Sequence, residues 1–254
     1  MIPYALQTYC RGYREHLAQT RLRVVSVAGE PISVDEAAMH CRIDAYEVVN
    51  GGSPTESDYE ERAWLEAAIT AAREYCEGWT GLAIAPQTLE LGTNAFPGSV
   101  GYGGDYCARY SVDCCGGVSS FAASGIVLGT APVIAVQTVN YTDADNVPQT
   151  TPGSDYLLDD FAQPAVLYSA YGGSWPSSVL GIPNGVRIVF DAGYALPGDS
   201  PSEPALPKSI RQAMLLVVGH MYEHREGVSE KQMHELEMGV YALLERWRIR
   251  TGMA

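Results

Sequence analysis

A chain of 254 residues with 46% hydrophobic content and a net charge of −14 is long enough for one large domain or two small ones with a sizeable core. The acidic excess lies in the body, where residues 43–207 hold 20 acids against only Arg62, Arg73, Arg109 and Arg187. Such a body repels phosphates, which excludes sequence-specific nucleic-acid binding by the main domain.

In chain order, residues 1–24 lack clean periodicity and read as an N-terminal arm, with a basic bias from Arg11, Arg14, Arg21 and Arg23. Ile2–Leu6 is too short for a secretory h-region and Ala213–Val218 too short to span a bilayer, so synthesis in the cytoplasm and no membrane association are expected. Val24–Val27 reads as a short strand. Ser33 followed by Glu36 is a capping-box signal for a helix running to about Arg42. A longer amphipathic helix is predicted over Glu56–Trp79. Leu65, Ile69, Ala72, Cys76 and Trp79 form its apolar stripe, its first turns are acidic, and Gly81 is the stop. Trp79 closes the stripe and is expected to be largely buried.

The middle changes character. Strands are predicted at Gln87–Leu91, Val133–Thr142, Val147–Thr151, Tyr156–Leu158, Ala165–Tyr168 and Val186–Phe190, with a hairpin turn at Asp143-Ala-Asp-Asn146. Residues 98–125 contain seven Gly, five Ser and three Tyr, the composition of a long exposed loop. Lys208–Glu226 is the most apolar helix. Gly227 ends it, Ser229 and Gln232 form a second capping box, and Met233, Leu236, Val240, Leu243 and Trp247 make the seam of a long C-terminal helix. The expected fold class is α+β, a helical bundle core with a strand-rich insertion between the second and third main helices. The domain division is a 1–24 arm, a helical core of 25–85 and 205–254, and a β-rich insertion of 86–204 with the exposed loop at 98–125.

Chemistry-bearing motifs are sparse. His220-Met-Tyr-Glu223-His224 matches H-x-x-E-H, in which two histidines at i and i+4 share a zinc and the glutamate polarises bound water. A third ligand has to come from His234, Glu230 or Glu235, just beyond the helix break. The bland alternative is two histidines near a helix C-terminus, where positive charge is welcome. Asp143-Ala-Asp145 reads as a turn rather than a calcium loop, because Val147 stands where an oxygen ligand belongs. Six Cys (Cys10, Cys41, Cys76, Cys107, Cys114, Cys115) include no C-x-x-C pair. Cys41 and Cys76 read as core residues, while Cys107, Cys114 and Cys115 share the glycine-rich loop, where cross-linking is the minority alternative to reduced thiols. No cofactor is expected.

Several weak motifs in order resemble a known family. Pro31-Ile-Ser-Val-Asp-Glu-Ala-Ala-Met-His-Cys-Arg-Ile-Asp44 resembles the opening helix of the head–tail connector (adaptor) proteins of long-tailed bacteriophages. Ala67–Gly81 followed by Pro86–Leu91 is similar to their second helix and following strand. Val189–Tyr194 and Pro207–Glu223 resemble their later strand and third helix. The likeness spans roughly 25–95 and 130–245; the arm and the 98–125 loop depart from it.

The resemblance implies a non-enzymatic virion protein, assembled in the host cytoplasm and residing in the virion neck. It would form a homo-oligomeric ring, twelvefold in that family, beneath the portal protein. It would continue the DNA channel, pass DNA without sequence-specific binding and offer a surface to the stopper or tail protein. The acidic excess suits a lumen along which DNA slides. Connector proteins engage the portal through terminal segments, which assigns portal binding to Leu244, Arg246, Trp247, Arg248 and Arg250. Three readings remain open at this point: the adaptor, a zinc-dependent hydrolase using His220, Glu223 and His224, and another tail-completion protein or binding module.

Overall fold

The structure, a computed structural model, describes residues 21–43, 62–97, 125–177, 179, 182–196, 204–224 and 239–249. Residues 1–20 of the arm, the start of the second helix, residues 98–124 with the loop's three cysteines, the second capping box and Arg250 lie outside the described residues, while the last arm residues, 21–24, belong to the first strand. Two compact units emerge, one of Met1–Val27 with Gln87–Ala192 and the other of Ala28–Pro86 with Gly193–Ala254.

The first unit is built from strands, in chain order β1 Arg21–Val27, β2 Gln87–Thr93, β3 Ile126–Val127, β4 Val133–Thr142, β5 Pro148–Thr151, β6 Tyr156–Asp159, β7 Val166–Ser169 and β8 Val186–Ala192. Five of them form an antiparallel sheet in the order β1-β2-β8-β4-β5, and the rest an antiparallel sheet in the order β3-β7-β6. Period-two alternation sets the faces of the larger sheet. Leu22, Leu91, Ile188 and Val139 lie in one cross-strand row, and Val24, Leu89, Phe190 and Val136 in the next. The central members Leu89, Leu91, Ile188, Phe190 and Val139 are fully buried.

The opposite face is polar. Glu90 accepts a hydrogen bond from Arg23 Nε at 2.5 Å and lies 4.0 Å from Arg187. Asp191 accepts from Thr88 Oγ1 and Gln137 Nε2, both at 2.8 Å. The β4–β5 turn forms where the sequence places it. The Asp143 carboxylate accepts from the Asp145 and Val147 amides at 3.0 and 2.9 Å and from Gln149 Nε2 at 2.9 Å. Those bonds, the one from Val147 foremost, hold the Asp143 carboxyl below its ordinary value.

The second unit holds α1 Val34–Cys41, α2 Arg62–Thr80 and α3 Lys208–Glu223, with residues 239–244 helical before a 3-10 turn at Glu245–Trp247. Ser33 caps α1, its Oγ accepting from the Glu36 amide at 3.2 Å. The reciprocal half of the capping box is absent, because Arg211 of α3 takes the Glu36 carboxylate in two bonds, the longer at 2.7 Å. Gly81 stops α2 at φ +76°, donating to the Glu77 carbonyl at 2.8 Å. Ile69, Ala72, Cys76, Ile210, Met214 and Val218 are buried in this unit's core, and burial pushes the Cys76 thiol up to about 12, consistent with a core role.

One charged group is buried among the described residues of this unit. Arg73, 5% exposed, donates from Nε to Glu30 at 3.0 Å and from Nη1 to Glu77 at 2.7 Å. Glu77 also accepts from the amides of Ile84 at 2.8 Å and Ala85 at 3.4 Å. Burial opposes the guanidinium charge, but the hydrogen bonds and charges of Glu30 and Glu77 outweigh it and hold Arg73 above its ordinary value.

The expected helical bundle with a β insertion and a long C-terminal helix is incorrect. The described chain is rich in strand, with two antiparallel sheets and only short helices. The reason is that β1 precedes the helices and pairs with β2 after them, and β2 in turn pairs with β8, about a hundred residues on. Pairings so distant leave no local trace. Strand boundaries nevertheless match well, with Val133–Thr142 found as predicted, while the two-residue β3 was missed.

Two substitutions probe these constraints. Arg73→Ala leaves Glu30 and Glu77 facing each other without their cation, and should cost about 3–5 kcal/mol in urea unfolding, the range for a broken buried ion pair. Gly193 sits at φ +125° with the Ala85 carbonyl where a Cβ would go. Gly193→Ala should cost at least about 2 kcal/mol from backbone strain and collision.

Candidate docking surface at the C-terminal end

The C-terminal segment is held by the helical unit's own residues. Thr80, last in α2, donates from Oγ1 to the Cys76 carbonyl at 2.7 Å and accepts from the Leu82 amide at 3.2 Å. Its own carbonyl, one of the orphan acceptors of a helix end, accepts from the Ile249 amide at 2.7 Å. Val240 and Leu244 are buried, and Trp247 Nε1 donates to Ser209 Oγ in the first turn of α3 at 2.8 Å.

What remains outward is a ledge of rings and guanidinium groups. Tyr241 lies on Trp79 with ring centroids 4.2 Å apart and 32° between planes. The Arg248 guanidinium sits 4.6 Å from the Trp79 ring and that of Arg246 lies 5.4 Å from Trp247, distances at which a cation is attracted to an aromatic face. Arg246 and Arg248 are exposed, Trp247 is half-buried and Tyr75, one turn before Trp79, is 42% exposed. Exposed arginine and aromatic groups on a rigid base are the composition of interface hot spots.

The predicted site residues divide accordingly. Arg246, Trp247 and Arg248 come together on the ledge. Leu244 is buried beneath it as packing, and Arg250 lies outside the described residues. Trp79, expected to be largely buried, is instead half-buried, its ring covered by Tyr241 and Arg248 at the surface. The ledge membership of Tyr75, Trp79 and Tyr241 escaped the sequence reading. Tyr75 and Trp79 at i, i+4 were the available signal, masked by the assignment of Trp79 to the core.

His220 and His224 stack with ring centroids 4.6 Å apart and 24° between planes. His224 is the C-cap of α3, its amide and Nδ1 both within reach of the His220 carbonyl, at 3.0 and 3.3 Å. Among the described residues no group of three His, Cys, Asp or Glu has metal-holding geometry, and His234, Glu230 and Glu235 lie outside them. In the β unit an open cleft of about 360 Å³ lies between Tyr141, Thr151, Asp155 and Trp175; its lining offers no nucleophile–base pair. No helix among the described residues is long and apolar enough to cross a membrane.

No protein-family model matches the chain, and no curated protein matches it. Solved structures do. A chain of the neck of an empty GTA particle, computed with C6 symmetry, superposes with a TM-score of 0.60 at 24% identity, over 92% of this chain and 98% of that one. A chain of the virion of a native gene transfer agent (GTA) particle gives 0.61 at 24%, over 92% and 97%. A chain of the neck of a native GTA particle, computed with C12 symmetry, gives 0.58 at 25%, over 92% and 98%. The protein shares its fold with these chains across both units.

The histidine stack has a pH signature. Burial, then the neighbouring His224, lowers the His220 pKa, with Glu223 opposing. A histidine whose folded value is depressed favours folding most above its unfolded value of about 6.5, and that contribution is lost as pH falls through the folded value. Urea midpoints should therefore fall between pH 7.5 and 5, and less so in a His220→Asn variant. NMR titration should place the His220 imidazole below an ordinary histidine.

Proposed function

We propose that this chain is a structural, non-enzymatic component of the neck of a phage-like particle, acting there as a ring-forming adaptor between portal and tail. The observation that carries the reading is a fold shared almost end to end with chains from GTA necks computed with C6 and C12 symmetry. The charge distribution supports it. Net −14 per chain, multiplied around a twelvefold ring, makes a channel along which DNA passes without the counterion release that would hold it.

The C-terminal ledge is the surface for the portal. Arg246 and Arg248, on a base of Trp79, Tyr241 and Trp247, form a cationic patch on an acidic protein, and they suit an acidic portal face. The opposite side of the ring takes the stopper or tail protein.

The test mixes purified protein with the portal of its own particle and images the product. A ring of density beneath the portal supports the reading; protein that neither associates with the portal nor enters particles overturns it. Arg246→Glu with Arg248→Glu should keep the thermal midpoint within a few degrees, as surface changes do, and weaken portal association at least about tenfold. Unchanged association would remove the ledge from the interface. Truncation before Leu244 is the poorer probe, because Leu244 is core.

A further inference from the structure

Among the described residues the edge strands of the larger sheet are β1 and β5, and they differ. β5 is four residues long, Pro148–Thr151, and polar beyond its proline. β1 is seven residues long, contains no proline and is exposed along its whole length. Its apolar members are open to solvent, Leu22 at 41%, Val24 at 56%, Val25 at 55% and Val27 at 38%. Leu22 and Val24 continue the rows that run through Leu91, Ile188 and Val139 and through Leu89 and Phe190. The buried apolar face of the sheet therefore reaches its edge uncovered. Val25 is the bulged residue between the Val24 and Ser26 pairings, which aims an extra apolar side chain outward.

Charge separates the edges too. β1 carries Arg21 and Arg23. Arg23 is engaged by Glu90, whereas Arg21 makes no ion pair among the described residues. The β5 edge begins in the Asp143–Asn146 turn, where Asp145 is exposed and uses only its backbone amide toward Asp143. One edge is apolar and basic, the other polar and acidic.

We propose that β1 of one copy docks along the β5 edge and Asp143–Asn146 turn of the next copy, so that the sheet continues from subunit to subunit around the ring. The inference rests on the ring reading above. In a ring with cyclic symmetry the contact is head-to-tail, and one surface meets a different surface of its neighbour. Two β1 strands pairing with each other would close an isologous dimer about a twofold axis and leave nothing to continue a ring. A β1–β5 contact covers Leu22, Val24 and Val25, brings Arg21 to Asp145, and uses strand addition, which joins an exposed strand to a sheet edge.

The test uses the full chain, assembled on its own portal, and compares Val24→Asp with Val25→Asp, Arg21→Glu, Asp145→Arg, and the Arg21→Glu/Asp145→Arg pair. Each should unfold within a few degrees of the natural protein. The valine double variant should lose ring assembly, each single charge reversal should weaken it at least tenfold, and the charge-swapped pair should recover most of that loss. Hydrogen exchange at residues 21–27 should slow on assembly. Normal rings from the valine double variant, failure of the charge swap to rescue, or equal protection of β1 in monomer and ring would overturn this contact and leave the adaptor reading standing. A natural protein that forms no ring at all would overturn both. Variants that keep the ring but lose the portal or tail protein would give β1 to a different partner and overturn it as well.

Discussion

The ion cluster of Arg73, Glu30 and Glu77 is the constraint on which the helical unit depends. An arginine this deeply buried is tolerated only with its charge balanced and its donors used. Here the balancing groups come from three stretches of chain. Glu30 stands just after β1, Arg73 and Glu77 lie one turn apart on α2, and the second oxygen of Glu77 fixes the Ile84 and Ala85 amides just before β2. Pro86 accepts from the Ala28 amide at 2.8 Å, and Ile84 from the Tyr194 amide at 3.3 Å. The cluster thus fixes the segments by which the chain enters and leaves the helical unit, each within a few residues of a strand of the larger sheet. Gly193 belongs to the same arrangement, since only a residue without a side chain lets that segment approach the Ala85 carbonyl.

Local features were legible in the sequence because their causes are local. The Ser33 cap, the Gly81 stop, the Asp143–Asn146 turn and most strand boundaries follow from residues within a turn of each other. Architecture was not. Pairing Leu22 with Leu91 and Leu91 with Ile188 leaves no periodicity in any short window, whereas a nineteen-residue amphipathic helix announces itself. The helices therefore dominate the sequence pattern, in which the strands look like an insertion. Glu36 shows the same limit on a smaller scale. Its spacing from Ser33 predicted a reciprocal cap, but a guanidinium from α3 offers a carboxylate a stronger, charge-assisted bond than one backbone amide does.

The candidate docking surface was half legible. A run of arginines around Trp247 on an acidic protein is visible in the sequence, but its base is not. Trp79 and Tyr241 are 162 positions apart and meet because Ile249 completes the α2 end by bonding to Thr80. The backbone contact also explains why Leu244 belongs to the fold and Arg246 and Arg248 to the surface. A segment that satisfies an orphan carbonyl and fills a core site has fixed geometry, so the guanidinium groups it carries are presented without the ordering cost of a loose tail.

The two proposed surfaces of this protein then divide the work by chemistry. Cations on aromatic faces, at the ledge, give a contact whose strength depends on a partner's negative charge and weakens with salt. The β1 edge adds apolar area and backbone groups to its one Arg21–Asp145 pair, so salt weakens that contact only in part. Assembly at rising ionic strength would accordingly lose the portal before it lost the ring. The same division accounts for the unprotected character of β1. Four exposed apolar residues on an edge strand leave a lone monomer at risk of indiscriminate pairing, and Arg21 and Arg23 are charges of the kind that blunt such an edge. An edge that fits a different, acidic edge of the same sheet favours head-to-tail growth, which closes into a ring where the rotation per subunit divides a full turn without rise.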